Sequence, residues 1–298
     1  MSTKHSYYDY HPNYRKDSDR RRPTSDIRRK RIKHRWNRFL HFIFPMLCLI
    51  LLLSACVSFI LEHSLNTGTS FLKSSFFVGN PSNQVRRYAE KNGLSLSDYP
   101  QNLIDLYERN PETKDFVFEY PLKKDTSPSI DLGGLSTSSV PLLMQWDQRW
   151  GYEEYAGDLF GLTGCGPTCL SMAALYLTGD TSMNPKWMAD FATSYGYASE
   201  GNGSAWTLFS EGARKLGLDV TEIPLDEQRI ADNLNVGNPI VASMGKGDFT
   251  TSGHFIVLTA YKDGQLKVND PNSKENSEKL WDYNQISGQI RNLWVLRN

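Results

Sequence analysis

The residues from Gly164 to Leu175, GCGPTCLSMAAL, allow few folds around them. Gly164 and Gly166 carry no side chain to crowd a bend, and Pro167 suits the first turn of a helix, where its missing N–H leaves nothing unpaired. Leu170, Met172, Ala173, Ala174, Leu175 and Leu177 continue as a helix that is mostly apolar, as expected of one buried through the centre of a domain. Cys165 therefore stands at a helix N-terminus, where free N–H groups and the helix dipole favour a negative charge. Taken alone, a cysteine in that position reads equally well as a packing residue.

The histidines decide between the two readings. The chain has 6, and only His254 lies beyond residue 63, at the head of the strand-like run Phe255-Ile256-Val257-Leu258. A cysteine nucleophile needs one base nearby, and this half of the chain offers one. The same scarcity argues against zinc, whose catalytic sites want three protein ligands and are usually rich in histidine. No metal and no cofactor is expected.

A later acidic residue completes a set of nucleophile, base and orienting group. Phe255–Tyr261 and Leu266–Asn269 read as two strands joined at Asp263-Gly264, a strong hairpin signal. His254 and Asp270 then lie toward the same end of that hairpin. Asp270, in Asn269-Asp270-Pro271-Asn272, could hold the imidazole in the tautomer that accepts the thiol proton, although an Asp-Pro pair is also an ordinary turn. A tight turn at Asp263-Gly264 sets His254 opposite Ser273, so pairing with Asp270 calls for a bulge or a shifted turn. Asn269 and Asn272 remain alternatives.

The remaining cysteines carry less. Cys48 and Cys56 fall in an apolar run, which rules out a disulfide scaffold. Cys165 and Cys169 share a helix face, but Cβ atoms four residues apart lie roughly 5–6 Å from one another, too far for a disulfide, which wants roughly 3.5–4.5 Å. Cys169 reads as a small core residue.

Formal net charge is zero only in sum. Residues 1–38 hold 13 Lys and Arg against 4 Asp and Glu, leaving 20 against 29 in the rest. The acidic remainder is a poor nucleic-acid binder, since that function wants a basic face. The basic tail, expected to be disordered, runs directly into Phe39–Leu61, which has no charged residue and reaches the roughly 20 residues that span a bilayer. We expect a single transmembrane helix over 39–61, with the tail in the cytoplasm and the C-terminal region outside. Leu53-Ser54-Ala55-Cys56 also resembles a lipoprotein cleavage box. The long basic lead and the apolar residues after Cys56 favour an uncleaved anchor.

The expected organisation is a stalk over 62–82, a helical extension over 83–122, a Ser/Pro/Gly-rich linker over 123–138 and a main α+β domain over 139–298. In the extension, Val85, Tyr88 and Ala89, then Tyr99, Leu103, Leu106 and Tyr107, give two helical patterns, ended by Asn110-Pro111. Phe116–Pro121 reads as a short extended piece. In the main domain, helices precede mainly antiparallel strands. Near its start Gln145 is of interest, because a side-chain amide can donate to an oxyanion. The Gly245–Gly253 loop is suited to frame a cleft.

Gln145-Trp146-Asp147-Gln148-Arg149-Trp150, Gly164-Cys165-Gly166-Pro167-Thr168, Gly253-His254-Phe255-Ile256-Val257 and Asn269-Asp270-Pro271 together resemble the papain-like cysteine peptidases related to bacteriocin-processing, double-glycine leader peptidases (peptidase family C39-like). The resemblance covers roughly residues 139–298. Tyr99–Pro121, with its Asn-Pro-Glu-Thr core, looks like an extension seen ahead of this domain in Gram-positive bacterial members. The resemblance implies a papain-like fold, with Cys165 as nucleophile, His254 as base and Asp270 as orienting residue, and a peptide or protein substrate. Leader-processing enzymes carry their oxyanion glutamine six residues before the cysteine, which here is Leu159. Gln145 could fill that role from across an insertion, or the Cys165 backbone N–H could act largely alone. Those domains are also typically cytoplasmic and fused to a transporter, so the leader substrate does not carry over. An amidase or acyltransferase acting on cell-wall peptides, or an inactive surface-binding module, would use the same fold.

Overall fold

The computed structural model describes residues 79–298. The basic tail, the Phe39–Leu61 run and nearly all of the stalk lie outside the described residues. Among those described, no helix is long and apolar enough to cross a membrane.

The extension is three helices. α1 (Pro81–Lys91) opens with proline at its first position and with Asn80 as N-cap, accepting from the Ser82 amide. α2 (Gln101–Arg109) buries Leu103, Ile104, Leu106 and Tyr107, the spacing of one helix face. Asn110 and Pro111 end it and open a tight turn, Pro111–Thr113, that runs on into α3 (Lys114–Lys123). The Phe116–Pro121 segment is thus helical rather than extended. Its aromatic and β-branched residues suit a strand, but packing overrides that preference: Phe116, Val117 and Phe118 are buried in succession, and Pro121 lies in the last turns of the helix.

These helices share one apolar cluster with Met144, Trp146 and Tyr152. Phe116 stacks on Tyr152 at 4.6 Å, and the Tyr152 hydroxyl donates to the Phe116 carbonyl at 2.8 Å. The stretch expected as a linker is also partly bound down. Beyond Lys123, the last residue of α3, it forms no regular element, yet Leu132 is buried, with Ile130 and Leu135 packed on the same main core.

After a short helix α4 (Phe160–Thr163), α5 (Cys165–Thr178) is buried from Gly166 to Leu175 and ends at Gly179 in the left-handed conformation. The glycines beside Cys165 serve close approach. A Cβ on Gly164 would meet the Phe160 ring, and one on Gly166 would lie 2.7 Å from Ser204 Cβ. α6 (Pro185–Ser194) packs beside α5.

Six antiparallel strands follow: β1 (Asp219–Glu222), β2 (Ile240–Met244), β3 (His254–Lys262), β4 (Gln265–Asn269), β5 (Leu280–Asp282) and β6 (Ile290–Arg297), in the order β1-β6-β2-β3-β4-β5. Val241, Phe255, Val257 and Trp294 face α5. Ile240, Ala242, Ile256 and Leu258 face the other way, onto Ile230 and Leu234 of α7 (Glu227–Asn235). Both faces are covered, so residues 240–242 of β2 and 255–258 of β3 read as unbroken apolar runs. At the β3–β4 turn, Asp263 and Gly264 both have positive φ, as a two-residue type I′ turn requires.

Candidate active site

That turn sets the register, and one residue alters it. From Lys262–Gln265 the strands pair regularly to Ala260–Lys267. Pairing then resumes at Leu258–Val268, leaving Thr259 as a bulge. Without the bulge, His254 would face Ser273 and Asp270 would face Val257, on opposite sides of the sheet. With it, counting on from the Val257–Asn269 pair, Asp270 stands across from Ile256 and diagonal to His254 on one face. Diagonal neighbours are within reach of aromatic and long side chains.

The reach is made. His254 Nε2 lies 2.7 Å from Asp270 Oδ1. Both residues are buried, His254 at 9% and Asp270 at 1% exposure. Asp270 Oδ1 also accepts from the Asn272 amide at 2.9 Å, and Oδ2 from Asn276 Nδ2 at 2.9 Å. Burial raises the carboxyl pKa, but His254 and these donors outweigh it and hold the group below its usual range. For His254, burial disfavours the charged ring, whereas the Asp270 carboxylate and, to a smaller extent, the Cys165 sulfur favour it. The net effect raises its pKa from 6.5 to about 10. With Nε2 engaged by Asp270, Nδ1 is the ring nitrogen left for Cys165.

Cys165, the first residue of α5, is half-buried and its thiol is free. It lines a cavity of about 860 Å³ together with His254, Asp270, Gln145, Leu162 and the Gly247–Gly253 loop. Gln145 is buried, with its backbone N–H on the Pro271 carbonyl at 2.8 Å and its Nε2 on the Gly161 carbonyl at 2.9 Å, while its Oε1 has no partner. Leu159 instead packs against the cluster of the N-terminal helices.

Of the alternatives to Asp270, Asn269 is engaged elsewhere, while Asn272 lies on the cavity wall with its side-chain Oδ1 unpartnered. Asn269 Nδ2 donates to the carbonyls of Val140 and Pro141, each at 3.0 Å. Asn272 offers its backbone carbonyl to Trp146 Nε1 at 3.0 Å. Cys169 is fully buried, and burial pushes its thiol pKa up. Sequence reasoning missed Asn276 and Ser277, whose bonds fix Asp270, and also Leu106, Arg109 and Glu112 on the cavity wall. The available signal was Ser273 ahead of Asn276, a helix N-cap that ties Asn276 to the turn. Among the described residues, no group of three or more His, Cys, Asp or Glu is placed to hold a metal ion.

Residues 137–297 match the model of the Peptidase_C39 like family. Among solved structures, the chain is similar to the peptidase domain of Streptococcus ComA, a bifunctional ABC transporter involved in a quorum-sensing pathway. That similarity has 18% identity and a TM-score of 0.37, covering 48% of this chain and 97% of that one. A C39-like peptidase candidate from Bacillus anthracis is 16% identical, with a TM-score of 0.34 and coverage of 54% and 96% respectively. No curated protein sequence matches.

Proposed function

Because the chain belongs to the Peptidase_C39 like family, we propose that it is a cysteine peptidase in which Cys165 is the nucleophile, His254 the acid and base, and Asp270 the residue that orients His254. The observation that carries this reading is the 2.7 Å contact of His254 with Asp270 on the wall of the cavity that Cys165 lines.

In the proposed reaction, the His254 imidazolium holds a proton beside the Cys165 sulfur. The sulfur attacks the scissile carbonyl carbon, and the carbonyl electron pair moves onto oxygen. That oxyanion is stabilised by the backbone N–H of Cys165, which lies in the first turn of α5 where helical N–H groups lack intrahelical partners, and by the Nε2 of Gln145. Donors aimed at an oxyanion contribute about 10²–10³-fold in rate. His254 then gives its proton to the leaving amine as the C–N bond breaks, leaving a thioester on Cys165. Water, deprotonated by His254, attacks the thioester, releasing the carboxylic acid and restoring the thiol pair. Asp270 keeps its charge throughout and fixes the ring orientation.

The peptidase is further proposed to be membrane-anchored through the uncharged run 39–61, with the basic tail in the cytoplasm and residues 139–298 outside. The support is the asymmetry of charge on either side of that run.

The test is a mixed peptide pool incubated with the full chain in detergent, with new N-termini read by mass spectrometry. New termini that vanish with Cys165→Ala support the reading. Identical pools from the two proteins would overturn it. Protease treatment of intact cells tests the topology, since the proposal requires residues 139–298 to be digested from outside.

A further inference from the structure

The turn Asn110–Thr113 lies ahead of the family match at residues 137–297, yet it is bonded into the Asp270 loop. Glu112 Oε1 accepts from Ser273 Oγ at 2.8 Å and from the Glu275 amide at 3.2 Å, and Oε2 accepts from the Lys274 amide at 2.8 Å. Asn110 Nδ2 donates to the Asn272 carbonyl. Leu106, Arg109, Asn110, Pro111 and Glu112 also line the cavity that holds Cys165.

The bonds continue to the histidine. Ser273 is the N-cap of α8 (Lys274–Glu278), where its Oγ accepts from the Asn276 amide at 3.1 Å while donating to Glu112. Glu112 thus fixes the direction of that hydroxyl and leaves a lone pair for Asn276. Asn276 Nδ2 then holds Asp270 Oδ2, and Ser277 Oγ receives the Asp270 amide at 2.8 Å. A helix of five residues has little stability of its own. A carboxylate accepting two of its leading N–H groups is a charge-assisted clamp, about twice as strong as a neutral one.

We propose that Glu112 is a positioning residue for the Asp270–His254 pair, making the helical segment ahead of the family-matched residues part of the active site. This rests on the peptidase reading above only for the role of that pair. Loss of Glu112 frees the start of α8, loosens Asn276 on Asp270 and lets water reach the carboxylate. The groups that face His254 are Cys165 from α5 and Asp270 after β4. Arg109, Glu112, Asp248 and Glu275 are the other charged residues lining the cavity.

The test uses the full chain and site-resolved hydrogen exchange at the imidazole C2 position, which gives a titration midpoint for each histidine by mass spectrometry. Wild type should titrate well above the ordinary histidine value of about 6.5, and Glu112→Ala should lower the His254 midpoint by about one unit or more. Glu112→Gln, which keeps the size but loses one acceptor oxygen, should shift it in the same direction by less. It also serves should the alanine variant not fold. Glu108→Gln, on the exposed side of α2, should leave the midpoint unchanged. A high wild-type midpoint that both Glu112 variants retain overturns this proposal and leaves the peptidase reading intact. A wild-type midpoint near 6.5 overturns both.

Discussion

The His254 ring and the Asp270 carboxylate meet at 2.7 Å across a diagonal of the β3–β4 hairpin, and one bulged residue, Thr259, puts them on the same face. Orientation of the imidazole is therefore a property of strand register as much as of the two side chains. Asp270 is in turn held by Asn272 and Asn276, so the pair is anchored from the turn that follows β4.

Replacing Asp270 with Asn keeps the shape and removes the charge. The proton on His254 loses its main support, and peptide cleavage should fall by about 10²–10⁴-fold. The effect on stability has a defined sign. A histidine pKa raised from 6.5 to about 10 contributes stability that is complete below the unfolded value and is lost as pH rises toward 10. The difference in thermal midpoint between wild type and Asp270→Asn should therefore be largest near pH 6 and shrink steadily toward pH 10. A difference that grows with pH would contradict this.

Gln145→Ala removes a buried amide from the cavity wall. If its Nε2 donates to the oxyanion, kcat should fall by about 10²–10³-fold with little change in KM. A change confined to KM would assign Gln145 to substrate binding instead.

Gly166→Ala tests the close approach of α5 to Ser204. The added Cβ would lie 2.7 Å from Ser204 Cβ, and either the helix or Gly203–Ser204, a two-residue strand paired with Ala198–Ser199, must shift. Overpacking of this kind costs about 1–3 kcal/mol. Chemical denaturation should show a midpoint lowered accordingly, and a midpoint at or above wild type would refute the packing account.

Cys169→Ala should behave differently from any change at Cys165. The thiol at 169 is fully buried in the core, so peptide cleavage should be retained while stability drops by about 1 kcal/mol. Loss of cleavage in a folded Cys169→Ala protein would show that the chemistry is not confined to Cys165.

Much of this site was legible before folding. Gly164-Cys165-Gly166-Pro167 declared a helix start, a single histidine beyond residue 63 limited the choice of base, and Asp263-Gly264 located the hairpin turn. Residue counting also showed that a regular hairpin would fail to join His254 to Asp270. It could not locate the bulge, because Thr259 differs from its neighbours by nothing that marks an unpaired residue. Phe116–Val117–Phe118 misled for another reason: strand propensity is local, whereas the burial that makes this segment helical comes from α1, α2 and Tyr152. The role of Glu112 was invisible because its partners, Ser273 to Glu275, are about 160 residues away. Sequence spacing carries no signal at that range.

The most direct measurement is the rate of iodoacetamide modification at Cys165, resolved by peptide mapping of the full chain at pH 6.5, in wild type and in His254→Ala. An activated pair predicts modification at least about 10-fold faster in wild type, reflecting the charged histidine beside the sulfur. Equal rates in the two proteins would mean that His254 does nothing for Cys165, and the peptidase account would fail.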